Sequence, residues 1–292
     1  MNTHMEESIQ KANVLIEALP YIREFEGKTV VIKYGGAAML EPALRKSTAE
    51  DIVLMKYVGI NPVVVHGGGP AINKTLKQMN IQSQFSPQGL RITDVDTMQI
   101  VEMVLAGTIN KDIVTLLNCS GGDAVGLCGK DGNLLYAKKL LAEDGSDLGQ
   151  VGKITNVHTR VIDVLCNAGM IPVIAPVATD GEGNSWNINA DTAAGEIAAA
   201  LQAEKLVFLT DTPGLLRDVD DPHSLIHQLR SGDVNHLRQE GVIAGGMVPK
   251  VEACLRALDY GVRKTHIIDG RVHHSLLIEI FTNKGVGTLV SH

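Results

Sequence analysis

Five short segments carry residues whose types and spacing suit the handling of anions. In Val30-Val31-Ile32-Lys33-Tyr34-Gly35-Gly36 an apolar run ends in a lysine and then in two glycines. Adjacent glycines let backbone N–H groups approach an anion with no Cβ in the way, and Lys33 adds a point charge at the same place. Val63-Val64-Val65-His66-Gly67-Gly68-Gly69-Pro70-Ala71 repeats the design, with the glycines opening a helix. Orphan N–H groups and the helix dipole there favour a phosphate or a carboxylate. Gly245-Gly246-Met247-Val248-Pro249-Lys250 puts a second lysine at a helix start, where the dipole disfavours a cation unless an anion joins it. Asn187-Ile188-Asn189-Ala190-Asp191, if extended, presents Asn187, Asn189 and Asp191 on one side, a carboxylate with amides that suits holding two lysines. If the helix begins there instead, Asp191 is its cap. In Leu209-Thr210-Asp211-Thr212-Pro213-Gly214-Leu215 an apolar run ends in groups able to hydrogen-bond a nucleoside.

Each segment alone has a plain structural explanation: a tight turn, a solvated lysine, a helix cap. His66, at a strand end, reads as a structural hydrogen-bonder. Neither a GxxxxGKS/T loop nor a GxGxxG turn occurs. Together, two lysines, one aspartate and several glycine nests fit phosphoryl transfer, in which positioning and charge neutralisation supply most of the catalysis.

The elements that must position these groups alternate along the chain. Buried-strand candidates are Thr29 to Ile32, Val63 to Val65, Val173 to Ala175, Leu206 to Leu209 and Thr265 to Ile268. Helical segments are Ser47 to Val58, Ala71 to Met79, Thr97 to Leu105, Ile109 to Asn118, Val157 to Asn167, Ala190 to Leu201 and Lys250 to Tyr260. This alternation predicts an α/β fold on a mostly parallel sheet with helices on both faces, and ligands beyond the carboxyl ends of the strands. Leu127 to Lys139, with Asp131-Gly132 at its middle, predicts a β-hairpin. Ala178 to Asn187 is polar and glycine-rich and predicts a loop or hairpin tip. Ile9, Ala12, Leu15, Ile16 and Leu19 predict an added amphipathic helix over residues 6–25, ending near Pro20.

Composition narrows the function further. The 292 residues are 45% hydrophobic and 20% charged, ample for a folded core. Aromatics at 3% and a net charge of -7 argue against a nucleic-acid partner. No run of about 18 apolar residues predicts a membrane span. The start, MNTHMEESIQ, lacks a secretory signal, so a cytoplasmic protein is expected. Cys119, Cys128, Cys166 and Cys254 match no zinc spacing and predict free thiols, with Cys128, Cys166 and Cys254 in apolar surroundings; no metal ligands are predicted.

The set IKYGG, VVVHGGGP, NINAD, LTDTPGL and GGMVPK, in this order, resembles the amino-acid kinase superfamily, most closely its acetylglutamate kinase branch. The resemblance runs from about Thr29 onward. It implies a three-layer αβα sandwich, with an N-terminal extension over 1–26 and one kinase domain over 27–292. That domain would have an amino-acid-binding lobe (about 27–185) and an ATP-binding lobe (about 186–292). It implies ATP with Mg2+, the metal carried mainly by the phosphates, and N-acetyl-L-glutamate as acceptor. Lys33 and Lys250 would stabilise the phosphoryl group in flight, with Asp191 orienting both. Gly35, Gly36 and Gly68 would donate backbone N–H bonds to it. Gly68, Gly69, Arg91, Asn187 and Asn189 would hold acetylglutamate, with Arg91 on the α-carboxylate. Thr210, Asp211, Gly214, Leu215 and Lys250 would hold the nucleotide. Arginine-sensitive members carry an N-terminal helix and form hexamers, a trimer of dimers. On that resemblance L-arginine would be an inhibitor at Tyr21, His266, Glu279, Gly285 and Gly287, Glu279 pairing with the guanidinium. Some photosynthetic relatives also bind a PII-type protein, and the sequence does not decide that. Two rival readings remain open: a glutamate 5-kinase or aspartokinase, told apart by substrate choice, and a silent nucleotide or amino-acid sensor, told apart by absence of ADP release.

Overall fold

The computed structural model describes residues 3–86, 89–282 and 285–292. The chain opens with α1 (Thr3–Phe25) and β1 (Thr29–Tyr34), then α2 (Pro42–Tyr57), β2 (Asn61–His66) and α3 (Gly69–Gln78). A short ribbon, β3 (Gln84–Phe85) and β4 (Arg91–Ile92), precedes α4 (Val95–Glu102), which passes through a π-helical stretch (Met103–Ile109) into α5 (Asn110–Cys119). Next come β5 (Ala124–Cys128), β6 (Leu135–Leu141), β7 (Asp147–Val157), α6 (Arg160–Asn167), β8 (Ile171–Ala175), β9 (Val177–Thr179) and β10 (Ser185–Asn187). The rest is α7 (Ala190–Ala200), β11 (Lys205–Thr210), β12 (Gln228–Arg230), α8 (Val234–Gln239), α9 (Met247–Asp259), β13 (Lys264–Asp269), α10 (Ser275–Phe281) and β14 (Thr288–Ser291).

Eight strands form one sheet in the order β12-β14-β13-β11-β1-β2-β8-β5, parallel throughout except for the β13–β14 pair. All five strands read from apolar runs lie in it. Their side chains alternate between two cores, as the period of two requires. Val30 and Ile32 of β1 enter the core beneath α2, α3, α5 and α10, and Val31 enters the one beneath α6, α7, α8 and α9. Helices thus cover both faces, the three-layer αβα arrangement expected. Strands β6, β7, β9 and β10 close into a small separate barrel.

Several local readings are corrected. α1 runs through Pro20 to Phe25 instead of ending there. Ile16, whose carbonyl loses its partner to the proline, is exposed, so water can take the bond. Leu127 to Lys139 is not a hairpin. Leu127 belongs to β5 in the large sheet and Leu135 onward to the barrel, where β6 pairs with β7. Val157 ends β7, and the next helix starts only at Arg160. The helices read separately over 97–105 and 109–118 are one continuous helical run joined by the π stretch. Ala178 to Asn187 does form a hairpin, from β9 and β10. All four cysteines are free, but Cys166 is only half-buried and Cys119 is exposed. Among the described residues no helix is long and apolar enough to cross a membrane.

Candidate active site

The carboxyl ends of β1, β2 and β11 meet the amino ends of α3, α7 and α9 over two adjoining cavities. One, of about 420 Å³, is lined by Lys33, Gly35, Gly36, Gly67 to Gly69, Arg91, Asn187, Asn189 and Asp191 among others. The second, of about 380 Å³, is lined by Thr210, Asp211, Gly214, Leu215, Gly246 and Lys250 among others. Lys33, Gly36 and Asp211 line both.

At the junction a single carboxylate carries both lysines. Lys33 Nζ lies 3.0 Å from Asp191 Oδ1 and Lys250 Nζ 3.0 Å from Asp191 Oδ2. The two ammonium groups, 217 residues apart in the numbering of Lys33 and Lys250, are therefore held on one acid. Local structure explains the placement. Lys33 is near the end of β1, and Gly35 lies so close that a Cβ there would sit 2.6 Å from its Nζ. Lys250, in the first turn of α9, folds back to donate also to Gly246 O at 3.1 Å. Asp191 is not extended and does not cap its helix. Asn189 is the cap of α7, its Oδ1 accepting from Asp191 N at 2.9 Å and Thr192 N at 3.0 Å. That leaves both Asp191 oxygens for the lysines. Burial would push the Asp191 carboxyl up, but the two ammonium groups hold it below the usual carboxylate range. Two positive charges against one negative leave the Lys33–Asp191–Lys250 trio with a surplus of one cation, and Asp211 is the carboxylate that lines both cavities beside it.

Arg91 is buried on β4, its guanidinium 4.6 Å over the Phe85 ring and donating to Ser83 Oγ and, at 3.5 Å, to Gly69 O. Among the described residues no carboxylate pairs with it, so it faces the first cavity as an uncompensated cation. Asn187 Nδ2 donates to Thr93 Oγ1 at 3.1 Å, tying the barrel hairpin to the β4 region. On the other side, Thr210 Oγ1 accepts from Thr212 N at 3.1 Å and shapes the turn that leads to Gly214. Leu215 N donates to Thr288 Oγ1 at 2.8 Å, and Thr288 Oγ1 donates to Ile226 O at 2.7 Å, so β14 fixes the wall of the second cavity.

Asp211 has a role that sequence reasoning missed: its carboxylate accepts from Ala37 N, clasping the turn after Gly36. Asn110 was missed too. It is a fully buried polar side chain bonded to His66, and its only sequence signal was a polar residue amid the helical pattern of residues 109–118. The residues read as an effector site lie elsewhere. Glu279 is buried, with Oε1 2.8 Å from Lys205 Nζ and 2.9 Å from His266 Nε2. It is thus already paired, and only Oε2 lacks a partner, as does His266 Nδ1. Gly285 lies against that oxygen, where a Cβ would come within 2.5 Å. Tyr21, half-buried on α1, and Gly287, at φ +117, line neither active-site cavity.

The sequence pattern of the amino acid kinase family matches residues 28–269. The chain is 56% identical to the acetylglutamate kinase of Heliobacterium modesticaldum, over 98% of this chain and 99% of that one. It is 56% identical to the acetylglutamate kinase of Thermosynechococcus vestitus, over 96% of this chain and 94% of that one. N-acetylglutamate synthase from Neisseria gonorrhoeae, solved with coenzyme A and N-acetyl-glutamate, superposes at a TM-score of 0.84 and 29% identity. The match covers 96% of this chain and 63% of that one. Carbamate kinase from Giardia lamblia, solved with AMP-PNP, shares the fold at a TM-score of 0.66 and 18% identity, over 91% of this chain and 98% of that one. A family pattern spanning most of the chain, and more than half of all residues shared with relatives of equal length, place this chain in the amino acid kinase family, among its acetylglutamate kinases.

Proposed function

We propose that the protein transfers the γ-phosphoryl group of ATP to the γ-carboxylate of N-acetyl-L-glutamate, yielding N-acetyl-L-glutamyl 5-phosphate and ADP for arginine biosynthesis. The observation that carries this is the placement of Lys33 and Lys250 on the two oxygens of Asp191, where two cavities join. The first cavity takes acetylglutamate and the second takes ATP, which divides the domain into an amino-acid lobe and a nucleotide lobe.

The acceptor carboxylate is ionised at pH 7 and needs no general base. One of its oxygens attacks the γ-phosphorus; that O–P bond forms as the bond to the bridging oxygen of ADP breaks, the electron pair leaving on ADP. Two anions must approach each other for this, and the surplus positive charge of the lysine pair offsets their repulsion most where charge builds up in the transition state. The backbone N–H groups of Gly35, Gly36 and Gly68 supply further donors. Arg91, unpaired by any acid, takes the α-carboxylate in a forked bond that a lysine would not match. Asn187 and Asn189 line the same cavity, Asn189 through its backbone and the edge of a side chain already used as a cap. Mg2+ would be carried mainly by ATP and would neutralise charge on its phosphates; among the described residues no cluster of acids forms a site of its own for the ion. A coupled assay for ADP release with N-acetylglutamate, glutamate and aspartate tests the reading. Preferred turnover of free glutamate would transfer the chain to another substrate class, and nucleotide binding with no ADP release would make it a sensor.

L-Arginine as an inhibitor is supported by the two unpartnered buried atoms, Glu279 Oε2 and His266 Nδ1, beside Gly285. A homo-oligomer built through α1, a hexamer in this reading, is supported by the exposure of Val14, Leu15 and Ile16 (64, 73 and 68%) on one exposed helix. The protein works in the cytoplasm. Rates unchanged by millimolar arginine, or an unaltered mass in light scattering after removal of α1, would remove these two additions separately.

A further inference from the structure

Gly68 N–H finds no acceptor among the described residues, although the atoms on either side of it are fully engaged. Gly67 N donates to Tyr34 O at 3.1 Å, and Gly67 O lies 2.9 Å from His66 Nδ1. In a planar trans peptide the carbonyl and the next N–H point in opposite directions, so whatever grips Gly67 O also aims Gly68 N–H. Gly68 lines the acetylglutamate cavity.

The protonation of His66 is set from behind. Its Nε2 lies 3.2 Å from Asn110 Nδ2. The Asn110 amide has one possible orientation. Its nitrogen faces the carbonyls of Val173 (2.9 Å) and Leu127 (3.3 Å), which only accept, and its oxygen takes a bond from Lys111 Nζ at 2.9 Å. Asn110 Nδ2 shares two hydrogens among three acceptors but cannot itself accept, so a proton on Nε2 would face it unpaired; the single proton of a neutral imidazole therefore sits on Nδ1, where it donates to Gly67 O. Burial keeps the ring neutral by pulling its pKa down to about 4, with the nearby Lys111 and Lys33 charges acting the same way. The π-helical stretch that ends just before Asn110 serves the same glycine. Leu105 and Ile109 lie so close to Gly68 that a Cβ there would clash with both. An extra residue in a helical turn rotates the side chains beyond it, and π turns are frequent at functional sites.

We infer that Asn110 and His66 are positioning residues for phosphoryl transfer. Asn110 holds the His66 imidazole in its Nδ1–H form, and that N–H grips the Gly67 carbonyl so that Gly68 N–H faces the transferring group. The inference rests on the kinase reading above and deepens it by naming what preorganises one backbone donor.

The test uses the full chain. In 15N-histidine NMR of the wild type, the His66 signals, identified by their loss in His66→Gln, should show a protonated Nδ1 and a bare Nε2 from pH 5 to 8. An Nε2–H form would overturn the inference whatever the variants do. In kinetics, His66→Gln, which moves the donor to the Nε2 position, should lower kcat by roughly ten- to hundred-fold with KM for both substrates changed only a few-fold. His66→Asn, which keeps a donor near the Nδ1 position, should recover at least ten-fold of that loss. Equal kcat for the two variants would overturn it. Failure of the kinase reading itself looks different: the wild type would then release no ADP with acetylglutamate.

Discussion

Two buried acids in this protein are each held by two bases, yet only one opens onto a cavity. Asp191 takes two lysines at 3.0 Å and lies between two pockets. Glu279 takes Lys205 at 2.8 Å and His266 at 2.9 Å, joins β11, β13 and α10, and lines neither pocket. In both trios burial pushes the carboxyl up and the adjacent bases bring it below its ordinary value. The difference is in the second base. Burial holds His266 down, so the Glu279 trio is nearly neutral, whereas the Asp191 trio keeps one positive charge unspent. A buried ion cluster is therefore no mark of an active site by itself; surplus charge facing a cavity is.

The comparison can be broken at several points. The largest effect should be on folding at the sealed trio. Lys205→Ala leaves Glu279 buried without its one permanent cation, beside the His266 imidazole alone, and should lower unfolding stability by about 3–5 kcal/mol in urea denaturation. The Lys205→Met/Glu279→Leu double variant should recover most of it. At the open trio, Lys33→Ala and Lys250→Ala should each lower kcat by about 10²–10³, with a smaller change in melting temperature. Lys205→Ala, assayed where it is folded, should keep kcat within a few-fold; a drop like that of Lys33→Ala would erase the distinction. Arg91→Ala should raise KM for acetylglutamate by roughly ten-fold or more and change kcat less, since the contact proposed for it would be made in ground and transition states alike.

The smallest effects are in pH dependence. The lowered folded-state values of Asp191 and Glu279 give stability that is fully present above the ordinary carboxylate range, about pH 4, and is lost as pH falls through the lowered values. Glu279→Gln should flatten that acid limb of a denaturation series. Asp51 goes the other way. No lysine pairs with it among the described residues; the imidazole of His274 at 2.5 Å and the backbone of Leu276 and Leu277 oppose burial, but burial wins and raises its carboxyl to about 6. The folded state then binds the extra proton, so stability falls as pH rises from about 4 to about 6, and Asp51→Asn should abolish this fall.

What was legible in the sequence was whatever depends on one segment at a time. Buried parallel strands are continuous apolar runs, so β1, β2, β8, β11 and β13 could be read directly. Strands β5, β12 and β14 could not: Ala124-Val125-Gly126-Leu127-Cys128 holds a glycine, and the other two are only three and four residues long. The barrel was missed because its closure pairs β6 with β9 (Tyr136 with Thr179) and β7 with β10 (Val151 with Asn187), residues far apart in sequence. At the site, Lys33, Asp191 and Lys250 were visible as types in suitable settings, but their meeting is a product of α7 packing against both β1 and α9. Asn189 as the cap was hidden by Asp191, an equally good capping residue two positions on. The state of Glu279 turned on Lys205, one residue before the apolar run Leu206 to Leu209, whose burial against α10 no local pattern reveals.

Strand β14 is inserted between β12 and β13, and its Thr288 hydroxyl completes the wall beside Leu215. During synthesis these residues leave the ribosome after every other element described. The first cavity's lining is translated by residue 211, while the second stays unframed on one side until Thr288 to Ser291 emerge. A nascent chain can thus shape its first cavity early, but the second is framed only once β14 has emerged.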